Sequence, residues 1–478
     1  MNWFRKNTAL VAAVLSLLII FVSFAGITGA ENGGSMFLRD MDGDRRVLED
    51  VDISGVLQDR YHGQQFSIDG GRLSRNFKFY DSRSDMTETA QKSSGNTKSI
   101  EGVQYYQTIG SRPSQDASID IVSKPWYPEE HTQGNTGTVQ SDAILYTEET
   151  SRVDKIDVLI SMGKQKKDGM NETVRVNTGI KVESKVKEFQ FNKIYFTDKR
   201  EDPPVERLTS ESYEGRIFTG ENSSNAFTYI NGKMYFTVLT DKTATGENGI
   251  FRIDEWVAWP NTDEAETYGK VNKICGFGLD NHDTEVLGLE NVDNKLVLYM
   301  LVDNMPTFRA YEPDTGKLID ELKVDGLRVD SENRYYQAFG EGNNITVWFG
   351  GERGKLVNVK LDGKLSVEHI VNSIYLLDAN EEAKAPDNVE TANGKLFLLT
   401  YANDASDTAT SIDILKRRHF MILVYGKSDF SSKLLYRGEI VSDANQDTEY
   451  DKKDISPGFG GVSQENYRHF AAVKVESR

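Results

Sequence analysis

From Glu31 onward the apolar positions fall in short runs, rich in β-branched and aromatic residues and bounded by Gly, Asn and Asp. Ile156–Ile160, Ala226–Ile230, Met234–Leu239, Lys295–Val302, Ile345–Phe349, Lys395–Tyr401 and Phe420–Tyr425 are the clearest. Runs of this length and composition predict strands. No stretch keeps the helical period beyond about three turns. Leu361–Asn380 mixes both periods and is assigned to neither. The exception is the N-terminus, where residues 7–30 carry no charge and Leu10–Phe24 is almost wholly Leu, Ile, Val, Ala and Phe. About 20 apolar residues suffice to span a bilayer core. Arg5 and Lys6 precede this stretch, which would keep that end in the cytoplasm. Two readings stay open: a retained signal-anchor, favoured by the uninterrupted length, and a cleaved signal peptide with Thr28-Gly29-Ala30 as its processing site.

Within the strand-rich region one hairpin recurs. Tyr229-Ile-Asn231-Gly232-Lys233-Met-Tyr-Phe236 matches Val292-Asp-Asn294-Lys295-Leu-Val-Leu298 and Thr391-Ala-Asn393-Gly394-Lys395-Leu-Phe-Leu398. Glu341-Gly342-Asn343-Asn344-Ile-Thr-Val347 is a weaker copy. Asn-Gly supplies the positive φ angles of a tight turn, and the flanking alternation supplies the strands. The turns are spaced by 62, 49 and 51 residues. A second turn alternates with the first: Asp314-Thr315-Gly316-Lys317, then Asp362-Gly363-Lys364, then a looser copy near Ser431-Ser432-Lys433.

Repeats of this length, each made of two hairpins, resemble the four-stranded blades of a β-propeller. The turn at Asp314–Lys317 in particular resembles the outer-strand turn of quinoprotein-like and related propellers, including bacterial membrane-anchored ones. The resemblance covers about Ala226 to Gly438 and implies an all-β chain, a propeller of about six to eight blades after one N-terminal transmembrane or signal helix. The organisation predicted is a signal-anchor or signal peptide over 1–30, an acidic linker over 31–50 and a propeller domain over 51–478. Polar insertions are expected near 81–99 and 113–140, and His469–Val475 as a last strand that pairs with an early one.

Charge narrows the partners. Beyond Ala30 there are 54 basic and 74 acidic residues, a balance of −20. Such a surface repels nucleic acid and anionic headgroups and leaves cations, glycans or a protein as partners. Cys275 is the only cysteine, so no intrachain disulfide forms, which suits bacterial export. Together these place the domain outside the cytoplasm, on a single-pass anchor or secreted.

Candidate chemistry is sparse. Asp40, Asp42 and Asp44 alternate as a calcium-binding loop would present them, but Arg45 and Arg46 neutralise the site, and a plain acidic linker is the simpler reading. Ser67-Ile-Asp69-Gly70-Gly71 reads as a Gly-Gly turn. The six histidines form no metal-ligand pair at i,i+2 or i,i+4, and Asp280-Asn-His282-Asp283 reads as a polar loop. Trp256 and Trp259 form one aromatic cluster and Trp126 and Tyr127, with Tyr105 and Tyr106, a second. Either would stack on sugars or anchor a protein, and either equally packs between sheets. A binding or scaffold module is the function these features favour. The alternative is a propeller enzyme, a hydrolase or quinoprotein-type dehydrogenase with carboxylates gathered at the axis.

Overall fold

A computed structural model of the chain describes residues 15–22, 36–59, 62–82, 86, 97–100, 103–125, 144–165, 171–184, 189–198, 205–214, 226–238, 244–245, 248–255, 270–277, 284–329, 336–350, 354–374, 386–403, 418–428, 431–442 and 469–478. They form antiparallel sheets in two compact units. Residues 1–91, 330–360 and 366–478 make one unit, and 92–329 with 361–365 the other.

Three sheets belong to the first unit. One orders β30 (His469–Ser477), β2 (Val51–Gln58), β3 (His62–Asp69) and β4 (Arg72–Phe79). A second orders β22 (Tyr336–Glu341), β23 (Asn344–Phe349), β24 (Lys355–Asp362) and β25 (Lys364–Val371). The third orders β26 (Asn388–Ala392), β27 (Lys395–Asn403), β28 (Arg418–Gly426), β29 (Lys433–Val441) and β1 (Phe37–Gly43).

In the second unit, β13 (Phe227–Ile230), β14 (Lys233–Val238), β16 (Gly249–Glu255) and β17 (Lys270–Gly276) form one meander. β18 (Thr284–Val292), β19 (Lys295–Val302), β20 (Met305–Tyr311) and β21 (Leu318–Lys323) form another. The remaining two sheets exchange strands. One runs β12 (Val205–Glu214), β11 (Phe189–Asp198), β8 (Ile144–Val153), β7 (Ile119–Pro125). The other runs β15 (Ala244–Thr245), β10 (Asn171–Ser184), β9 (Lys155–Gln165), β6 (Val103–Pro113), β5 (Thr97–Ile100). The chain crosses from β8 to β9 at Asp154 alone, so this third of the molecule abandons the hairpin order seen elsewhere.

Each copy of the recurrent hairpin is the first strand pair of a sheet. Asn231 and Gly232 take φ of 48° and 80°, Asp293 and Asn294 49° and 58°, Asn393 and Gly394 49° and 71°. Two successive positive φ values make the turn whose twist matches the strands it joins. At the weaker copy only Gly342 is positive, at 55°, and the pair Glu341–Asn344 still closes the hairpin. Gly70 and Gly71, at 55° and 74°, join β3 to β4 as a plain Gly-Gly turn. The expected late strand is present: β30 pairs antiparallel with β2, from Val51–Ser477 to Gln58–His469.

The core explains the near-continuous apolar runs. In β27, Leu396 and Leu398 face one cluster, with Trp348, Leu356 and Val389. Phe397 and Leu399 face the other, with Ile53, Phe66 and Phe470. β28 repeats this with Met421, Leu423 and Tyr425 against Phe420, Ile422 and Val424. A sheet covered on both faces has no polar side, so alternation disappears from its sequence. Phe420 and Phe470 stack at 4.3 Å, with Phe66 edge-on to Phe470. Each such side chain contributes about 1.5–3 kcal/mol on burial.

Two sequence expectations change. Residues 37–43, in the stretch read as an acidic linker, form β1, the outer strand on β29. β5 and β7 fall in the stretches read as polar insertions; their ladders to β6 and β8 hold them there, while Ile119, Ile121 and Val122 of β7 stay exposed. At the N-terminus the described helix covers residues 15–22, with Leu15 and Ile19 exposed. Among the described residues no helix is long and apolar enough to cross a membrane.

Candidate functional site

In the first unit the edge strands β22, β26 and β30 lie side by side, and polar side chains bridge them. Glu341 closes β22 and accepts the Thr391 N–H of β26 at 3.3 Å. Glu390, one residue earlier on β26, accepts the Val475 N–H of β30. Asn388 donates to both the Val473 carbonyl and Glu390. Lys474 on β30 pairs with Glu476.

Burial pushes the Glu390 carboxyl up to about 7, against the Val475 N–H and with the Glu341 charge adding to the rise. Partial burial raises Glu341 as well, against its bond from Thr391. Glu390 can thus hold or release a proton near neutrality, the property expected of an acid–base group, with the Glu341 carboxyl on the neighbouring edge strand shifted in the same direction.

A second feature lies on the sheet of β30, β2, β3 and β4. The β2–β30 register slips between Ser54 and Val56, leaving Ala472 and Val473 opposite Gly55. Ala472 takes φ of 48°, a left-handed conformation costing a non-glycine residue about 1–3 kcal/mol. Gly55 is required here, because a Cβ would come within 2.8 Å of the Phe66 ring and 2.9 Å of Val473. Around this bulge lies a groove of about 450 Å³. The cross-strand row Ser54–Ser67–Ser74 and the carboxamides of Gln65 and Asn76 line it. Hydroxyls and amides both donate and accept, and Arg75, the one charged residue of the lining, adds donors, so the groove fits a hydroxyl-rich ligand. Bulges recur beside binding sites because they re-aim side chains.

The residues singled out from sequence fare differently. Asp40 is engaged by Arg45 at 2.6 Å and by the Tyr436 hydroxyl at 2.7 Å. Burial opposes it, but these bonds together hold the Asp40 carboxyl below its usual range. Asp44 is held low by the Arg46 side chain, with which it pairs at 2.6 Å, and it also accepts the Arg46 N–H. Asp42 sits between them on β1. Among the described residues no group of three His, Cys, Asp or Glu is placed to hold a metal. Trp126, Tyr127, Trp256, Trp259 and the Asp280–Asp283 loop lie outside the described residues; Tyr105 and Tyr106 lie in β6. Cys275 on β17 is partly buried, and burial pushes its thiol up, away from thiolate chemistry.

Sequence reasoning missed the edge carboxylates. One signal existed: Glu290 and Glu390 each stand three residues before the first turn residue of their hairpins. It also missed Glu439 on β29, which is 1 % exposed and bound by His419 at 2.6 Å and by Arg39 of β1. Burial works against the Glu439 carboxylate, but His419 and Arg39 outweigh it and hold its pKa low.

No family model matches the chain, and no curated protein matches it. Solved structures similar to it include a 6-phosphogluconolactonase candidate from Bacteroides uniformis, 10% identical, covering 80% of this chain and 95% of its own, with a TM-score of 0.29. A prolyl endopeptidase is 8% identical over 80% of this chain and 54% of its own, with a TM-score of 0.20. A sialidase variant from Streptococcus pneumoniae is 12% identical over 85% and 56%, with a TM-score of 0.21. The chain thus spans little more than half of the latter two. At these scores none of them bears on architecture or activity, and the fold assignment rests on the sheets themselves.

Proposed function

We propose that the chain is a propeller-type binding or scaffold module, held outside the cytoplasm by its N-terminal apolar segment, whose ligand is hydroxyl-rich. The groove carries this reading: three serine hydroxyls and two carboxamides gathered around a strained bulge, in a chain otherwise strongly acidic. The recurring hairpin-first sheets and the β30–β2 pairing support the propeller architecture. A glycan suits such a lining better than a metal cation does, since the lining adds no carboxylate and its one charged residue is Arg75.

The test is a thermal-shift screen of the full chain in detergent against cell-wall glycans, simple sugars, calcium and a quinone cofactor. Ligand at about 100 times its dissociation constant raises stability by about 2.7 kcal/mol. A shift with glycans that Ser67→Leu abolishes supports the groove. A shift with quinone or calcium alone would overturn it.

The enzyme reading keeps one specific observation, the Glu341–Glu390 pair with Glu390 titrating near neutrality. Turnover of any substrate that Glu390→Gln eliminates without loss of folding would favour it over the binding module.

A further inference from the structure

Against the acidic background β4 and β17 both carry basic residues and no acidic one, and of the two only β4 is also aromatic. β4, Arg72-Leu-Ser-Arg75-Asn-Phe77-Lys78-Phe79, holds three basic residues and no acidic one. It is the outer strand of its sheet and mostly exposed. The acids that bracket it are Asp69, held by Arg478, and Asp81. Its far end is aromatic: Phe77 and Phe79 meet edge to face at 4.9 Å, and Phe79 is 48% exposed.

The direction of β4 fixes where this end lies. The turn Gly70-Gly71 abuts Arg45, since a Cβ on Gly71 would come 3.1 Å from the Arg45 Cγ. Arg45 follows the end of β1, whereas Gly71 precedes the start of β4. β1 therefore runs towards that contact and β4 away from it, over similar lengths. Phe37, which opens β1 and is 49% exposed, stands at the same end of the two sheets as Phe79. Phe37 also lies seven residues beyond Ala30, where the apolar segment ends. At ~3.6 Å per extended residue it stays within about 25 Å of that segment.

We propose that this end, with Arg75 and Lys78 as its basic residues and Phe37, Phe77 and Phe79 as its aromatic rim, rests on the surface of an anionic bilayer. The inference builds on the membrane tether of the proposed function. Aromatic rings settle at the headgroup level, and each basic residue near an anionic surface strengthens attachment about fivefold. The net acidity of the chain then serves orientation, because it disfavours contact in general while this end sets cations beside aromatic rings.

The experiment uses the full chain with Cys275→Ser, labelled through either Asn76→Cys on β4 or Ser477→Cys on β30. Ser477 pairs with Val51 at the opposite end of the same sheet, beside the Asp52–Asp69 pair. The chain is reconstituted in vesicles of equal parts phosphatidylcholine and phosphatidylglycerol carrying headgroup-level spin-labelled lipid. The expected result is fluorescence quenching several-fold stronger at position 76 than at 477, reduced in pure phosphatidylcholine and by Phe37→Ser with Phe79→Ser. Equal quenching at both positions, or none, in chain that resists carbonate extraction overturns the footprint and leaves the tether standing. Chain released by carbonate overturns the tether. Selective quenching at 76 by added anionic vesicles would then uphold the footprint alone, and its absence would overturn that too.

Discussion

Replacing Glu390 with Gln removes a charge that the fold disfavours. Its carboxyl titrates near 4.5 in the unfolded chain and at about 7 in the folded one. A raised carboxylate pKa means the folded state holds the proton more tightly. The associated stability is fully present below pH 4.5 and is lost as pH rises through 7. The shift corresponds to roughly 3.4 kcal/mol at 1.36 kcal/mol per unit, and solvent screening of this incompletely buried group brings it to about 1–2 kcal/mol. Glutamine keeps an oxygen for the Val475 N–H and, like the protonated acid, carries no charge. Urea midpoints of the wild type and E390Q should therefore agree near pH 4.5. E390Q should be the more stable by about 1–2 kcal/mol at pH 8, with the divergence falling between pH 4.5 and 7. The comparison is of the difference between the two curves, because other groups titrate in the same window. Parallel curves, or E390Q uniformly weaker, would refute the account of Glu390 as a carboxyl raised by burial.

His369, 2 % exposed and bonded to Ser432 at 3.0 Å, has its pKa lowered by burial to about 4. The unfolded chain then binds the extra proton first, so its contribution is present above pH 6.5 and is lost as pH falls towards 4; His369→Gln should flatten that acid limb in a Tm-versus-pH series. Glu439→Gln leaves Arg39 and His419 without their anion and should cost about 1–3 kcal/mol in urea unfolding, with faster amide exchange in β1, whereas Arg39→Ala, at a half-exposed site, should cost less. Gly394→Ala meets no atom within 4 Å yet needs φ of +71°, so a loss of about 1 kcal/mol is expected, where no loss would reject the turn assignment.

The hairpins were legible because the information is local. Two residues such as Asn393-Gly394 state their own φ angles, and the apolar run Lys395–Tyr401 stands within β27. Partners distant in sequence leave no such mark. Nothing in Phe37–Gly43 announces β29, because the match is a ladder of backbone bonds plus Arg39 and Asp40, which alone read as a charged linker. β7 was hidden for another reason: its Ile119, Ile121 and Val122 stay exposed, so its apolar residues mark no core face and its ladder to β8 holds it. The site was less legible still. Glu341 and Glu390 take on their character from burial between edge strands, and Ser54, Ser67 and Ser74 become a row only once β2, β3 and β4 are in register.

The pairing of β1 with β29 and of β2 with β30 has a consequence for how the molecule is made. Arg39 and Glu439 are 400 residues apart. At roughly 5–20 residues per second, a ribosome takes about 20–80 s to synthesise the intervening chain. Until then the earliest strands keep their outer ladder bonds open, a template for pairing with any other chain. If the domain is exported as it is made, those strands emerge first on the far side and wait longest. Its maturation would then be timed by the arrival of its last segments, and an extracytoplasmic holding chaperone would act chiefly on its beginning.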